Sequence, residues 1–236
     1  MHRIEITEQT MRRLMGRRGK LQIYDRIEPA RSALIVVDMQ NCFLAPGMPA
    51  ELPVGREIVP NINRLAAAFR DSGGHVVWIR NTLLPETRRS WSVWTDKILN
   101  EANREAMYRE MAPGSLGHEL YPDLDVRPED AQIRKCRFSA FIQGASDLHA
   151  HLQERGIDTV VITGVATHVC CESTARDAMM LNYQTLFVSD GCAAFSDADH
   201  NGALNALIQS FCDVQDTDQV IRTLTAGVKD AAAAAQ

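Results

Sequence analysis

Residues 159–171 read TVVITGVATHVCC, an apolar run that passes through a glycine into a pair of cysteines. A continuous apolar run of this length is typical of a strand in a parallel sheet, because both faces of such a sheet are covered. Similar runs occur at 33–37 (ALIVV), 75–79 (HVVWI) and 185–189 (TLFVS). Together the four runs predict the central strands of one sheet.

Segments with helical spacing separate these strands. Residues 55–72 place Ile58, Ile62 and Leu65 on one face and end at a pair of glycines. Further helices are predicted near 96–107 and at 146–155, 169–182, 198–211 and 217–227, with short strands at 132–134 and 212–214. Strand–helix alternation of this kind favours a mostly parallel sheet with helices on both faces, which is a three-layer α/β/α fold.

The domain organisation follows from the same pattern. No linker divides the 236 residues, and the length suits one α/β domain. We therefore expect an N-terminal arm at 1–30, in which a run of basic residues is solvated, and a single domain at 31–228. The alanine-rich segment at 229–236 is expected to be a flexible tail.

Composition and charge exclude several classes of function. The net charge of -5 argues against a nucleic-acid-binding protein, which would normally carry a basic face. The first thirty residues lack the apolar region of a signal peptide, and no run reaches the ~18 apolar residues of a membrane span. The six cysteines include no C-x-x-C pair, which argues against a structural zinc site. We expect a reduced, cytoplasmic protein that acts on a small molecule.

Three chemically reactive residues follow predicted strands. Asp38 ends the ALIVV strand, Lys135 follows the strand at 132–134, and Cys170 lies between the strand at 159–163 and the next helix. In open α/β sheets, ligands bind outside the carboxyl ends of the strands. An acid, an ammonium and a thiol are therefore predicted at the same edge of the sheet.

Position also favours a reactive role for Cys170. It is predicted to lie in the first turn of a helix, where the dipole and free N–H groups lower the pKa of a thiol and can hold an oxyanion. The alternatives are a small buried hydrophobic side chain, or one half of a redox pair with Cys171. Asp38 has an alternative role as the cap of a turn.

Three segments contain these reactive residues; they read ALIVVDMQNCF at 33–43, RKCRFSAF at 134–141 and ITGVATHVCCESTARDA at 162–178. All three resemble the signatures of the isochorismatase-like hydrolases. The resemblance implies the Rossmann-like fold of that family, with the residues Asp38, Lys135 and Cys170 as a catalytic triad. It also places the nucleophile at Cys170, whereas the next position usually carries an aliphatic residue in the family.

The resemblance implies further features of the nucleophile turn and of the assembly. Family members have a cis peptide in this turn, which corresponds to Val165–Ala166 here. The backbone N–H groups of Ala166 and Cys170 would then form the oxyanion hole. A homodimer or homotetramer is also implied.

Metal use and reaction type can be inferred from the same resemblance. Nicotinamidase-like members bind a divalent ion through a D-x-H arrangement after the second strand, but residues 80–85 read RNTLLP and contain no histidine. We therefore expect no metal and no other cofactor. The cysteine favours C–N cleavage, and the segment WIRNTLL at 78–84 resembles ureidoacrylate and N-carbamoylsarcosine amidohydrolases.

The expected activity is a cysteine-dependent amidohydrolase that forms a thioester intermediate. A non-catalytic binding protein on the same fold is the alternative. Candidate substrate contacts, chosen by position near the sheet edge or in the nucleophile turn, are Asn81, Trp91, Trp94, Phe138 and His168. For the aromatic residues, packing in the core or at a subunit interface is the competing interpretation.

Overall fold

The computed structural model describes the backbone of residues 1–234 and the side chains of residues 1–229. At its centre lies a six-stranded sheet in the order β3-β2-β1-β4-β5-β6, in which every described pairing is parallel. The strands are β1 Ser32–Val37, β2 His75–Asn81, β3 Ala131–Lys135, β4 Thr159–Val165, β5 Gln184–Ala193 and β6 Asp213–Gln215. This arrangement confirms the predicted fold class.

Helices cover both faces of the sheet. They are α1 Glu8–Arg18, α2 Asn41–Leu44, α3 Val59–Asp71, α4 Pro85–Ser90, α5 Glu101–Glu110, α6 Leu148–Glu154, α7 Glu172–Met180, α8 Asp197–Ser210 and α9 Thr217–Ala234. Short 3₁₀ turns lie at Pro29–Arg31 and Pro53–Arg56, and π-helical turns lie at Val93–Ile98 and Thr167–Cys171. None of the described helices is long and apolar enough to cross a membrane.

The apolar strand sequences are explained by two separate cores. Along β1, Ala33, Ile35 and Val37 pack in a core that includes residues of α7 and α8. Leu34 and Val36 point the other way, into a core that includes residues of α3 and α9. Because successive side chains of a strand face opposite sides, every position of this strand must be apolar.

Strands β2 to β6 all end later in the chain than predicted, and the ends of β3 and β4 bear on the site. Lys135 is the last residue of β3 rather than the residue after it, because it pairs in register with Asn81 of β2. Strand β4 continues past Thr163 because Gly164 pairs with Val37. Gly164 has a φ of 114°, and a Cβ there would collide with the Val37 carbonyl oxygen, so only glycine fits.

The N-terminal segment contains a helix that the sequence did not predict. Helix α1 is capped by Thr7 at its start and by Gly19 after Arg18, and its Leu14 is 1% exposed within the same core as α8. Arg17 and Arg18 donate hydrogen bonds to backbone carbonyls at the end of α8. The basic residues thus attach the segment in part, instead of being solvated throughout.

The predicted flexible tail lies at the end of α9. That helix continues through Ala234, and residues 235 and 236 lie outside the described part of the chain. The flexibility of the tail therefore stays a prediction.

Candidate active site

The structure brings Asp38, Lys135 and Cys170 together at the carboxyl edge of the sheet. The Lys135 Nζ lies 2.7 Å from the Asp38 Oδ2 and 3.5 Å from the Cys170 Sγ. It also donates to the Arg137 carbonyl at 2.9 Å, so the ammonium lies among a carboxylate, a thiol and a carbonyl oxygen. The side chains of Asp38 and Lys135 are completely buried, and Cys170 is 4% exposed.

Local backbone geometry positions the acid. Asp38 follows directly on β1 and has a φ of 56°, in the left-handed region. Its N–H donates to the Ile79 carbonyl on β2 at 3.0 Å, which continues the strand pairing by one residue. Strand β1 has β4, which leads to Cys170, on one side and β2 on the other, and beyond β2 lies β3, which ends at Lys135. The carboxylate therefore lies between the other two residues along the sheet edge.

Burial and charge act against each other in the acid–ammonium pair. Burial raises the pKa of Asp38, and contacts with Lys135, the Cys170 thiol and the Asn81 backbone offset this only in part. Burial would lower the pKa of Lys135, but the neighbouring Asp38 and Cys170 outweigh it and raise the pKa overall. The ammonium therefore stays charged and can stabilise a negative charge beside it.

The predicted lowering of the Cys170 thiol pKa by the helix start is wrong, because the thiol is buried. Burial raises the pKa of the thiol well above its ordinary value; Lys135 lowers it, and Asp38 raises it further. A helix start favours the thiolate only where the thiolate is solvated or paired, and here desolvation is the larger effect. The resting thiol keeps its proton, and the carboxylate of Asp38 is the adjacent group that can accept it.

One feature of the nucleophile turn that the family resemblance implied is present, and a second stays a prediction. The Val165–Ala166 peptide is cis, as expected. Ala166 directly follows β4, and its carbonyl accepts from the N–H groups of Val169 and Cys171 across the π-helical turn. The oxyanion hole formed by the Ala166 and Cys170 N–H groups stays a prediction.

The two adjacent cysteines have different surroundings. Cys170 contacts Lys135, whereas the Cys171 Sγ lies 3.8 Å from the Thr163 carbonyl oxygen and is fully buried. Cys171 therefore packs back against β4. The geometry favours Cys170 over Cys171 as the reactive thiol.

Three of the candidate substrate contacts form one aromatic cluster. Trp91 and Trp94 stack with ring centroids 4.5 Å apart, and Phe138 packs edge-on against them at 4.8 and 5.7 Å. Phe138 also packs against the core that contains Cys170, three residues beyond Lys135. Trp94 is 8% exposed and lies among Cys42, Leu83 and Met111, so packing explains its position.

The structure does not place His168 with the triad. Its ring packs edge-on against Phe195, with centroids 6.2 Å apart. Residues two positions apart in a helical turn point to roughly opposite sides, which separates His168 from Cys170. A substrate contact for His168 stays a prediction without support from this geometry.

Sequence reasoning missed a buried glutamine beside the site. Gln40 is fully buried; its Oε1 accepts from the Asn81 N–H at 2.7 Å, and its Nε2 donates to the Asn81 carbonyl at 3.1 Å. The same Nε2 donates to the His118 carbonyl at 3.0 Å. The available signal was the polar pair Gln40 and Asn41, which follows Asp38 and stands between the apolar residues Met39 and Cys42.

A second missed contact anchors the nucleophile turn. The Thr167 Oγ1 lies 2.8 Å from the Nδ1 of His200 on α8, and His200 is fully buried. The His2 ring stacks on His200 with centroids 4.4 Å apart. Burial, with the neighbouring His2, lowers the pKa of His200 to about 4, so its ring is neutral at pH 7 and can accept from Thr167.

We expect Thr167→Val to destabilise the protein by about 1–3 kcal/mol, because it leaves a buried ring nitrogen of His200 without a partner. Thr167→Ser keeps the hydroxyl and should cost less than about 1 kcal/mol. Urea unfolding of the three proteins measures the difference. Equal stability of the Val variant and the parent would show that this hydrogen bond does not hold the turn.

Comparisons with known proteins agree with this architecture. An isochorismatase domain model matches residues 32–219. An uncharacterized isochorismatase family protein of Bacillus subtilis, YwoC, is 30% identical over 178 residues, which cover 75% of this chain and 86% of that protein.

Two solved structures are also similar. A cysteine hydrolase from Pseudomonas syringae superposes with a TM-score of 0.75 at 26% identity, over 88% of this chain and 98% of that chain. An N-carbamoylsarcosine amidase from Thermoplasma acidophilum has a TM-score of 0.63 at 26% identity, over 80% and 97% of the respective chains. The range of the isochorismatase domain model includes Asp38, Lys135 and Cys170.

Proposed function

This chain belongs to the isochorismatase family of hydrolases, and on that premise we propose that it is a cysteine-dependent amidohydrolase. Its substrate is a small amide, ureido or N-carbamoyl compound, of which it cleaves a C–N bond. The observation that carries the proposal is the Cys170 thiol 3.5 Å from the Lys135 ammonium, which in turn lies 2.7 Å from the Asp38 carboxylate.

The first half of the reaction forms a thioester. Asp38 takes the proton from the Cys170 thiol, and Lys135 stabilises the resulting thiolate. The sulfur attacks the substrate carbonyl carbon, and the carbonyl oxygen becomes an oxyanion that the N–H groups of Ala166 and Cys170 hold. When the C–N bond breaks, protonated Asp38 gives its proton to the leaving nitrogen, which departs as ammonia or an amine.

The second half returns the enzyme to its resting state. Asp38 removes a proton from a water molecule, whose oxygen attacks the thioester carbonyl and displaces the sulfur of Cys170. The departing thiolate recovers the proton from Asp38, and the acid product is released. One water is consumed for each C–N bond cleaved.

The proposed route for a small substrate is a crevice lined by residues close in sequence to Cys170 and Lys135. It has a volume of about 380 Å³, and its lining includes Phe138, Trp91 and Ser173 of α7. Ser173 lies three residues after Cys170, and Phe138 three residues after Lys135. Arg137, Arg176 and Asp177 also line it, so the crevice combines aromatic walls with charged groups that can orient a polar substrate.

The acid–base role of Asp38 predicts the pH dependence. Asp38 must be ionised to accept the thiol proton, so activity falls as the pH falls through its pKa. Because burial raises that pKa, we expect the acid limb of kcat/KM to lie above the ordinary range of an aspartate, which is about 4. A pH–rate profile measures this limb, and a limb at or below pH 4 would contradict the assigned base.

An ammonia-release screen tests the proposal as a whole. The compounds are ureidoacrylate, N-carbamoyl amino acids, nicotinamide and simple aliphatic amides, and the control is the Cys170→Ala variant. Release that needs Cys170 supports the proposal. If no compound is turned over, the alternative of a non-catalytic binding protein on this fold replaces it.

The assembly is proposed to be a homodimer or homotetramer. Ile142 and Met180, which line the same crevice, are 50% and 64% exposed in the single chain. Light scattering coupled to size-exclusion chromatography gives the mass of the assembly directly.

A further inference from the structure

The side-chain oxygen of Asn81 is a buried acceptor without a partner. Asn81 is the last residue of β2 and is 3% exposed. Its Oδ1 makes no hydrogen bond to any described residue. An unpaired buried carbonyl oxygen costs free energy in the folded protein, and such atoms are rare in native structures. This atom therefore calls for an explanation.

Strand register places Asn81 beside the reactive groups. It pairs with Lys135 in the parallel register of β2 and β3. Ile79, two residues earlier on β2, packs in the same core as Cys170, and Ile133, two residues before Lys135, packs against that core. Since side chains two apart share a face, Asn81, Lys135 and Cys170 lie on one face at one edge of the sheet.

The backbone of Asn81 is already fully used. Gln40 accepts from its N–H at 2.7 Å and donates to its carbonyl at 3.1 Å. Gln40 is itself fixed through its hydrogen bond to the His118 carbonyl. Because both backbone groups are held, the Asn81 peptide cannot rotate to direct its own N–H at the Oδ1. The Oδ1 is therefore a preorganised acceptor that a bound molecule can use.

We propose that the Asn81 Oδ1 accepts a hydrogen bond from the N–H of the group being cleaved and thereby selects amides and ureas over esters. This inference rests on the proposed amidohydrolase function. The triad alone provides no such selection, because a thiolate attacks an ester at least as readily as an amide. In an ester the leaving atom is an oxygen that carries no hydrogen. Two acceptor oxygens would then face each other at a buried site, and this contact is unfavourable.

The test compares an amide with the ester of the same acyl group. The probes are the most active compound among nicotinamide, propionamide and N-carbamoylglycine, and its methyl ester, or methyl carbamate for the ureido compound. Asn81→Leu, which is similar in shape and has no acceptor, should lower kcat/KM for the amide about 100-fold and for the ester less than about threefold. Asn81→Ala gives the same comparison if the Leu variant does not fold.

Thr82→Val is the matched control. Thr82 is the next residue, is 4% exposed, and its hydroxyl bonds to the His118 Nε2 at 2.8 Å. This variant also loses a buried polar atom, but its ratio of amide to ester activity should equal that of the parent. If Asn81→Leu lowers both activities equally, Asn81 is a structural residue and the inference is overturned, while the proposed function stands. If the parent turns over no probe, the proposed function fails and takes the inference with it.

Discussion

Cys170→Ala is expected to lose turnover by about 10⁵–10⁶-fold in kcat, because it removes the atom that forms the thioester. The fold should survive, since the change removes one sulfur from a side chain that is 4% exposed and leaves the Asp38–Lys135 pair intact. Cys171→Ala is the matched control, because it removes the neighbouring thiol that contacts the Thr163 carbonyl instead of Lys135. We expect it to keep kcat within about threefold.

Two measurements check this prediction. Steady-state ammonia release gives kcat, and mass spectrometry after brief iodoacetamide treatment shows which thiol is alkylated. Retained activity in Cys170→Ala would end the assignment of the nucleophile. Loss of activity in Cys171→Ala alone would move the nucleophile by one residue.

Lys135→Met should destabilise the protein by about 3–5 kcal/mol and abolish turnover. The variant keeps much of the side-chain volume but leaves the fully buried Asp38 without its cation. Removing one partner of a buried pair is strongly destabilising, because the remaining charge is desolvated and unpaired. Urea unfolding gives the stability, and ammonia release gives the activity.

The double variant Asp38→Asn/Lys135→Met separates stability from catalysis. Since no buried charge remains without a partner, it should recover a large part of the stability lost in Lys135→Met. It should recover no activity, because the proton acceptor is gone. The single variant Asp38→Asn completes the comparison. If the stability losses of Asp38→Asn and Lys135→Met add up to the loss in the double variant, the 2.7 Å contact between the two side chains carries no coupling energy.

The fold and the approximate place of the site were readable from the amino-acid pattern. Strands β1, β2, β4 and β5 must bury both faces, so each is an apolar run that stands out locally. Asp38 and Cys170 were assigned to one edge because each comes soon after such a run. The helix α1 was missed because only two of its residues are buried, Thr10 and Leu14.

The contacts that decide the chemistry could not be read from any local stretch. Cys170 rather than Cys171 contacts Lys135 because of the direction in which each side chain leaves a π-helical turn. The contact of Gln40 with Asn81 forms because β1 and β2 are neighbours in the sheet. The pKa of Cys170 is raised because the folded chain removes the thiol from water. Strand order and side-chain direction join residues far apart in the chain, so they emerge only when the whole sheet has formed.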